Sequence, residues 1–192
     1  MSHHNKNSTI LRLASVWVTL VLAACENSTP TTPAPGGNTH PVLISPCDLL
    51  TAGEAAIILG KPVLSTKSDT ASGYITHCVY TGSIDSGFVI ASHLDFTVTT
   101  TAGLQAHIGA SQNVPAYFAS LKSTLLTVAN EVPVAGVGTD AFWYTKSGKF
   151  YFYKGDVTVD ILYRPHGTPA IDTSEAAKAG STAAAVNIAA RL

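Results

Sequence analysis

Charge is scarce in this chain: Asp, Glu, Lys and Arg make up 12% of it, and the eleven basic residues form no patch. A surface that neutralises phosphates needs clustered Lys and Arg, so nucleic-acid binding is excluded. No G-x-S-x-G elbow, H-E-x-x-H pair, P-loop or EF-hand spacing occurs, which removes the usual signatures of serine hydrolases, zinc proteases, phosphate cradles and calcium loops. The sequence therefore predicts no enzyme, no cofactor and no metal site. Cysteine is limited to three residues without a C-x-x-C, and the seven histidines are scattered without ligand spacing. Long apolar runs are missing too. A transmembrane helix needs about 20 apolar residues, and the run Leu13–Ala24 is roughly half that before small residues interrupt it.

That short run sits in a telling context. Lys6 and Arg12 give a positive start, Leu13–Ala24 an apolar centre, and Leu22-Ala23-Ala24-Cys25 closes it with small residues before a cysteine. The tetrapeptide resembles a bacterial lipobox. In that resemblance the Cys25 sulfur carries a diacylglycerol, cleavage follows Ala24, and the new amino terminus is acylated, so that residues 1–24 are a lipoprotein signal peptide. Acyl chains contribute about 0.8 kcal/mol per buried CH2, enough for two or three chains to hold a domain at a bilayer without a spanning helix. The alternative is a short uncleaved anchor helix. Glu26 replaces the aspartate that retains many enterobacterial lipoproteins on the inner membrane, which permits an outer-membrane location. The expected address is extracytoplasmic, on the cell membrane or an outer membrane.

Residues 25–44 read as a lipidated cysteine and a Thr/Pro-rich linker, since Thr29-Pro30-Thr31-Thr32-Pro33-Ala34-Pro35-Gly36-Gly37 cannot bury enough apolar surface to offset ordering entropy. Residues 45–192 form a single domain of ordinary size. Without Lys6 and Arg12 the balance is nine basic against twelve acidic residues, a formal charge of −3. If Cys25 is lipidated, Cys47 and Cys78 remain as a pair, and an exported protein is expected to bond them. A redox or nucleophilic pair is the alternative, with no evident base beside either thiol.

The domain is predicted to be α+β, an antiparallel sheet with helices packed on it. Thr51 and Glu54 have capping-box spacing before Ala55, Ile57, Ile58 and Leu59, with Gly60 and Pro62 as a stop. Tyr74–Tyr80 is a β-branched and aromatic strand. Gly87–Thr101 alternates, placing Phe88, Ile90, Ser92, Leu94, Phe96 and Val98 on one face and Val89, Ala91, His93, Asp95 and Thr97 on the other. His93 and Asp95 thus share an outer face, as a hydrogen-bonded pair or as an ordinary solvated strand face. Thr101–Ser111 and Pro115–Leu126 read as helices, the second with Tyr117, Leu121 and Leu125 on its apolar side. Val128–Val134 is extended around Pro133. Asp172 and Glu175 start a final Ala-rich helix whose Ala185, Ile188, Ala189 and Leu192 recur at helical spacing.

Gly136-Val137-Gly138-Thr139-Asp140-Ala141 matches the G-x-G-x-x-A dinucleotide pattern, but Phe142-Trp143-Tyr144 after it is strand-forming, whereas a phosphate loop must open a helix. A tight turn is the expectation. Three strands follow from Thr139, with Ser147-Gly148 and Gly155-Asp156 as two-residue turns. Pairing across them puts Trp143, Phe150, Phe152, Val159 and Ile161 in the core, and Phe142, Tyr144, Tyr151, Tyr153, Thr158 and Asp160 on the opposite face. Phe142, Tyr144, Tyr151 and Tyr153 are the candidate partner-binding surface, with Tyr151 and Tyr153 at its centre. The alternative is that a helix covers these rings and leaves only their hydroxyls at its edges.

Pro46-Cys47-x-Leu49-Leu50-Thr51, Cys78-x-Tyr80, Gly136-x-Gly138-x-x-Ala141-x-Trp143 and the terminal Ala-rich helix together resemble the uncharacterised cell-envelope lipoproteins known especially from actinobacteria. The resemblance covers most of residues 45–192. It implies an architecture like the PsbP-type α/β/α sandwich of some related lipoproteins and carries over no catalytic residues. The expected function is a tethered, non-catalytic binding or accessory module of the cell envelope, with the membrane and envelope proteins as partners. The alternatives are a carrier of a small apolar ligand or lipid, and a hydrolase with an unrecognised site.

Overall fold

The computed structural model describes residues 44–70, 74–87, 90–109, 111–126, 131–166 and 171–192. The expected lipobox with Cys25, the expected signal segment and the expected linker up to residue 43 lie outside them, as do Phe88 and Val89. A 3-10 turn, Pro46–Asp48, leads into α1 (Ala52–Leu59). The expected capping box forms: the Glu54 N–H donates to Thr51 Oγ1 (3.3 Å), and the Thr51 N–H donates to Glu54 Oε2 (2.8 Å). Gly60, at φ 68°, ends the helix in the left-handed conformation.

Among the described residues seven strands and three more helices follow: β1 (Val63–Thr70), β2 (Ile75–Gly82), β3 (His93–Thr100), α2 (Thr101–His107), α3 (Val114–Leu126), β4 (Glu131–Pro133), β5 (Asp140–Tyr144), β6 (Lys149–Lys154), β7 (Val157–Arg164) and α4 (Glu175–Arg191). The strand order is β1-β2-β3-β7-β6-β5-β4, and every pairing is antiparallel. Two meanders, β1 to β3 and β4 to β7, are thus joined along β3 and β7, with α2 and α3 as the connection between them. The fold is α+β, a seven-stranded antiparallel sheet with helices packed on it.

Alternation decides which residues meet which helices. Cys78 and Tyr80, Leu94, Phe96 and Val98, Ile161 and Val159, Phe150 and Phe152, and Trp143 all point to one side and are fully or almost fully buried. α1 and α4 cover that side, α4 through Ala177, Ser181, Ala184, Ala185 and Ile188. Each large apolar side chain buried here contributes roughly 1.5 to 3 kcal/mol. The small residues of α4 let its backbone lie close to the sheet. At Gly180 a Cβ would stand 2.2 Å from the Tyr163 ring, and that ring is fixed because its hydroxyl donates to the Ile58 carbonyl at 2.9 Å.

On the same side Cys47 and Cys78 form a disulfide, with Cα atoms 5.3 Å apart across a sequence separation of 31. Closing a loop of that length contributes about 3 to 4 kcal/mol in the chain-entropy account. The one proton of the buried Tyr80 hydroxyl goes to the Leu50 carbonyl, with the Cys47 carbonyl also in reach, so residues 47–50 are held to β2 by this bond as well as by the disulfide. Burial, with Asp48 and Glu54 adding to it, pushes the Tyr80 phenol up to about 12. Among the described residues no helix is long and apolar enough to cross a membrane.

Four sequence expectations are corrected. β3 begins at His93, not at Gly87, although the alternation of Leu94, Phe96 and Val98 against His93, Asp95 and Thr97 holds. α2 ends at His107 and does not reach Ser111. The β5 to β6 connection spans residues 145–148, so Trp143 faces Phe150; a two-residue Ser147-Gly148 turn would have set it against Phe152. A slip of two residues leaves every side chain on its expected face, which is why the core assignment survives. Finally, the buried residues of α3 among those described are Val114 and Phe118, while Tyr117, Leu121 and Leu125 are half-buried.

Candidate binding cleft

The face away from α1 and α4 is only partly covered. α3 reaches it because its start is tied down: Asn113 Oδ1 accepts from the Ala116 N–H (2.9 Å), and Thr101 Oγ1 accepts from the Val114 N–H (3.1 Å). Phe118 then packs against Phe142 (ring centroids 5.5 Å apart) and Tyr153 (4.9 Å). Farther along α3, Lys122 pairs with Asp140 at 2.8 Å and with the Glu131 carboxylate at 3.4 Å. The Glu131 side chain is 2% exposed, so this ammonium offsets the cost of a charge taken out of water.

These contacts place the α3 flank over the middle of the sheet and leave a cleft of about 190 Å³ beside it. Its walls are Tyr117 and Leu121 from α3, Thr99 from β3, Lys149 and Tyr151 from β6, and Thr158 and Asp160 from β7. Strand register explains the grouping. Tyr151 lies opposite Asp160, and Thr99 opposite Thr158, so residues of three adjacent strands converge. Lys149 Nζ reaches diagonally to Asp160 Oδ1 at 2.8 Å.

The electrostatics are those of a half-buried, internally balanced site. Burial works against the Lys149 ammonium, but Asp160, with Tyr151 and Asp95 behind it, more than offsets this and raises its pKa above the ordinary lysine value. Burial raises the phenols of Tyr117 and Tyr151, and the Asp160 charge pushes both the same way. Next along the face, burial pushes the Asp95 carboxyl up, against the pull of His93 and His77. His93 Nε2 lies 3.8 Å from Asp95 Oδ2 and His77 Nδ1 lies 3.6 Å from Asp69 Oδ1, so the expected neighbourhood of His93 and Asp95 is present, at a distance longer than a hydrogen bond.

Of the four rings expected to form a contact surface, two do not. Phe142 is fully buried and Tyr144 nearly so, both within the cluster built on Phe118. They are core because α3 lies across them, and their placement on a partner-binding surface is withdrawn. Tyr153 is half-buried against Phe118, while Tyr151, stacked on Phe142 at 5.0 Å, opens into the cleft. Cys47 and Cys78 lie on the opposite side of the sheet, away from this chemistry. The Gly136-x-Gly138 segment is a turn with positive φ at both glycines, followed by β5 and not by a helix. A Cβ at Gly138 would meet the Tyr153 carbonyl at 2.4 Å, which accounts for glycine there without a phosphate.

Sequence reasoning found the parity of Tyr151, Thr158 and Asp160 but missed Lys149, Tyr117, Leu121 and Thr99 as their neighbours. The signal for Lys149 was available: it has the same parity as Tyr151. Nothing local showed that α3 would leave this gap. No family model, curated protein or solved structure matches the chain.

Proposed function

We propose that the chain is a membrane-tethered extracytoplasmic lipoprotein whose α+β domain is a non-catalytic binding module of the cell envelope. The observation that carries this reading is the Cys47–Cys78 disulfide. It suits an oxidising compartment and leaves Cys25, at the end of the lipobox, as the one cysteine available for an acyl anchor. The likeness to actinobacterial envelope lipoproteins belongs to the same proposal.

The cleft supports binding over catalysis. Asp160 is engaged by Lys149, and the face histidines direct their contacts to Asp69 and Asp95, not to the threonine or tyrosine hydroxyls of the cleft. It also argues against a lipid carrier, because its lining offers an ammonium, a carboxylate and four hydroxyls against a single aliphatic side chain, Leu121. The test of the anchor is Cys25→Ser, followed by detergent phase partitioning of cell extracts. The expected outcome is loss of the processed, detergent-phase form; a processed, lipid-labelled variant would contradict the assignment.

A further inference from the structure

The chemistry of the cleft beside α3 selects among ligands. We infer that this cleft binds one neutral, polyhydroxylated ring, the chemistry of a sugar residue, an inference that rests on the domain being a binding module.

Charge balance comes first. Lys149 and Asp160 already satisfy each other at 2.8 Å, so a carboxylate or an amine would have to displace an internal partner. A hydroxyl group need not. An ammonium has three donors and a carboxylate about four acceptor positions, so both keep spare hydrogen-bonding capacity after pairing. Two adjacent hydroxyls can therefore accept from Lys149 and donate to Asp160 while leaving the ion pair in place. Thr99, Thr158, Tyr117 and Tyr151 bring further hydroxyls to the walls. Thr158 Oγ1 donates to the Phe152 carbonyl at 3.2 Å, which leaves its lone pairs for an incoming O–H.

A sugar ring also has apolar C–H faces, which the tyrosine rings and Leu121 can cover. Size sets the limit. The cleft's 190 Å³ is room for about six waters, below the roughly 300 Å³ at which pockets for drug-sized ligands begin. One ring fits, and an acyl chain does not.

The experiment uses the full lipidated chain in a zwitterionic, sugar-free detergent. Amide shifts of Thr99, Thr158 and Lys149 are followed by NMR during titration with methyl α-glucopyranoside, methyl α-mannopyranoside, N-acetylglucosamine and a trisaccharide of each. Acetate, phosphate and methylammonium serve as charged probes. The expected result is saturable shifts with at least one sugar, weakened at least tenfold by Asp160→Asn and by Leu121→Trp. The second variant fills the space and spares the ion pair, so it remains informative if the first loses its fold. Tighter binding of a trisaccharide identifies the end of a glycan as the source, and binding of the single ring alone identifies a free sugar. Shifts with charged probes only would overturn the sugar assignment and leave the binding module standing. No shift with any probe on the folded protein would remove the cleft as a recognition site, and the binding-module reading with it.

Discussion

Glu54 joins three parts of the chain. It completes the cap of α1, and its Oε1 accepts from Arg191 Nη2 at 2.7 Å, while Arg191 Nη1 donates to the Leu49 carbonyl at 3.2 Å. The Arg191 bond first, then the Thr51 backbone and hydroxyl, pull the Glu54 carboxyl from 4.5 down to about 2. A carboxyl depressed on folding stabilises fully above its unfolded value, and that contribution drains away as pH falls through the folded value. Glu54→Gln should therefore cost about 1 kcal/mol at neutral pH, since solvent screens a pair this exposed. Urea titrations from pH 7 downward should show the difference shrinking between pH 4.5 and 2; a pH-independent difference would mean that the pair contributes nothing. At Gly180 the prediction is of opposite kind, because alanine favours a helix by about 1 kcal/mol over glycine. Here the added methyl collides with the tethered Tyr163 ring, and overpacking costs roughly 1 to 3 kcal/mol. Gly180→Ala should lower the melting temperature, and a rise would show that α4 can lift off the ring freely.

Among the elements, those with a local signature were legible. α1 announced itself by Thr51, Glu54 and Gly60, and β5 to β7 by alternation strong enough to survive a two-residue slip at residues 145–148. β1 was not foreseen, because it is an edge strand whose Ser65, Thr66, Lys67 and Ser68 are all exposed and carry no apolar pattern. α3 was foreseen as a helix, but its role was not, since its docking depends on Phe118 finding Phe142 and Tyr153 and on Lys122 finding Asp140 and Glu131 across the fold. The cleft is a by-product of that docking, so it was out of reach of periodicity. Phe118→Ala should cost about 3 to 5 kcal/mol as a buried aromatic truncation. It should also expose Tyr151 and Tyr153 to quenchers of tyrosine fluorescence. Unchanged stability would show that α3 does not cover this face as described.

At the scale of the whole molecule, the proposal of an exported lipoprotein rests on two features. The positive start, the short apolar run and Leu22-Ala23-Ala24-Cys25 carry the proposed export and lipidation, and the domain holds Cys47 and Cys78 in a disulfide, which suits an oxidising compartment. Cysteine arithmetic made the pairing legible, because three thiols with one set aside for the expected lipid leave one bond. The aromatic surface was not legible in the same way: parity gave the face of Phe142, Tyr144, Tyr151 and Tyr153, but a single helix decided that the first two are core and only Tyr151 opens into the cleft. The most direct measurement of the central claim is mass spectrometry of the unreduced protein isolated from its own membrane after alkylation of free thiols. An exported, tethered binding domain predicts a chain that begins at Cys25, carries a diacylglycerol there, and holds Cys47 and Cys78 in one unalkylated, disulfide-linked peptide pair. A chain that keeps residues 1–24 and bears three alkylated cysteines would contradict it.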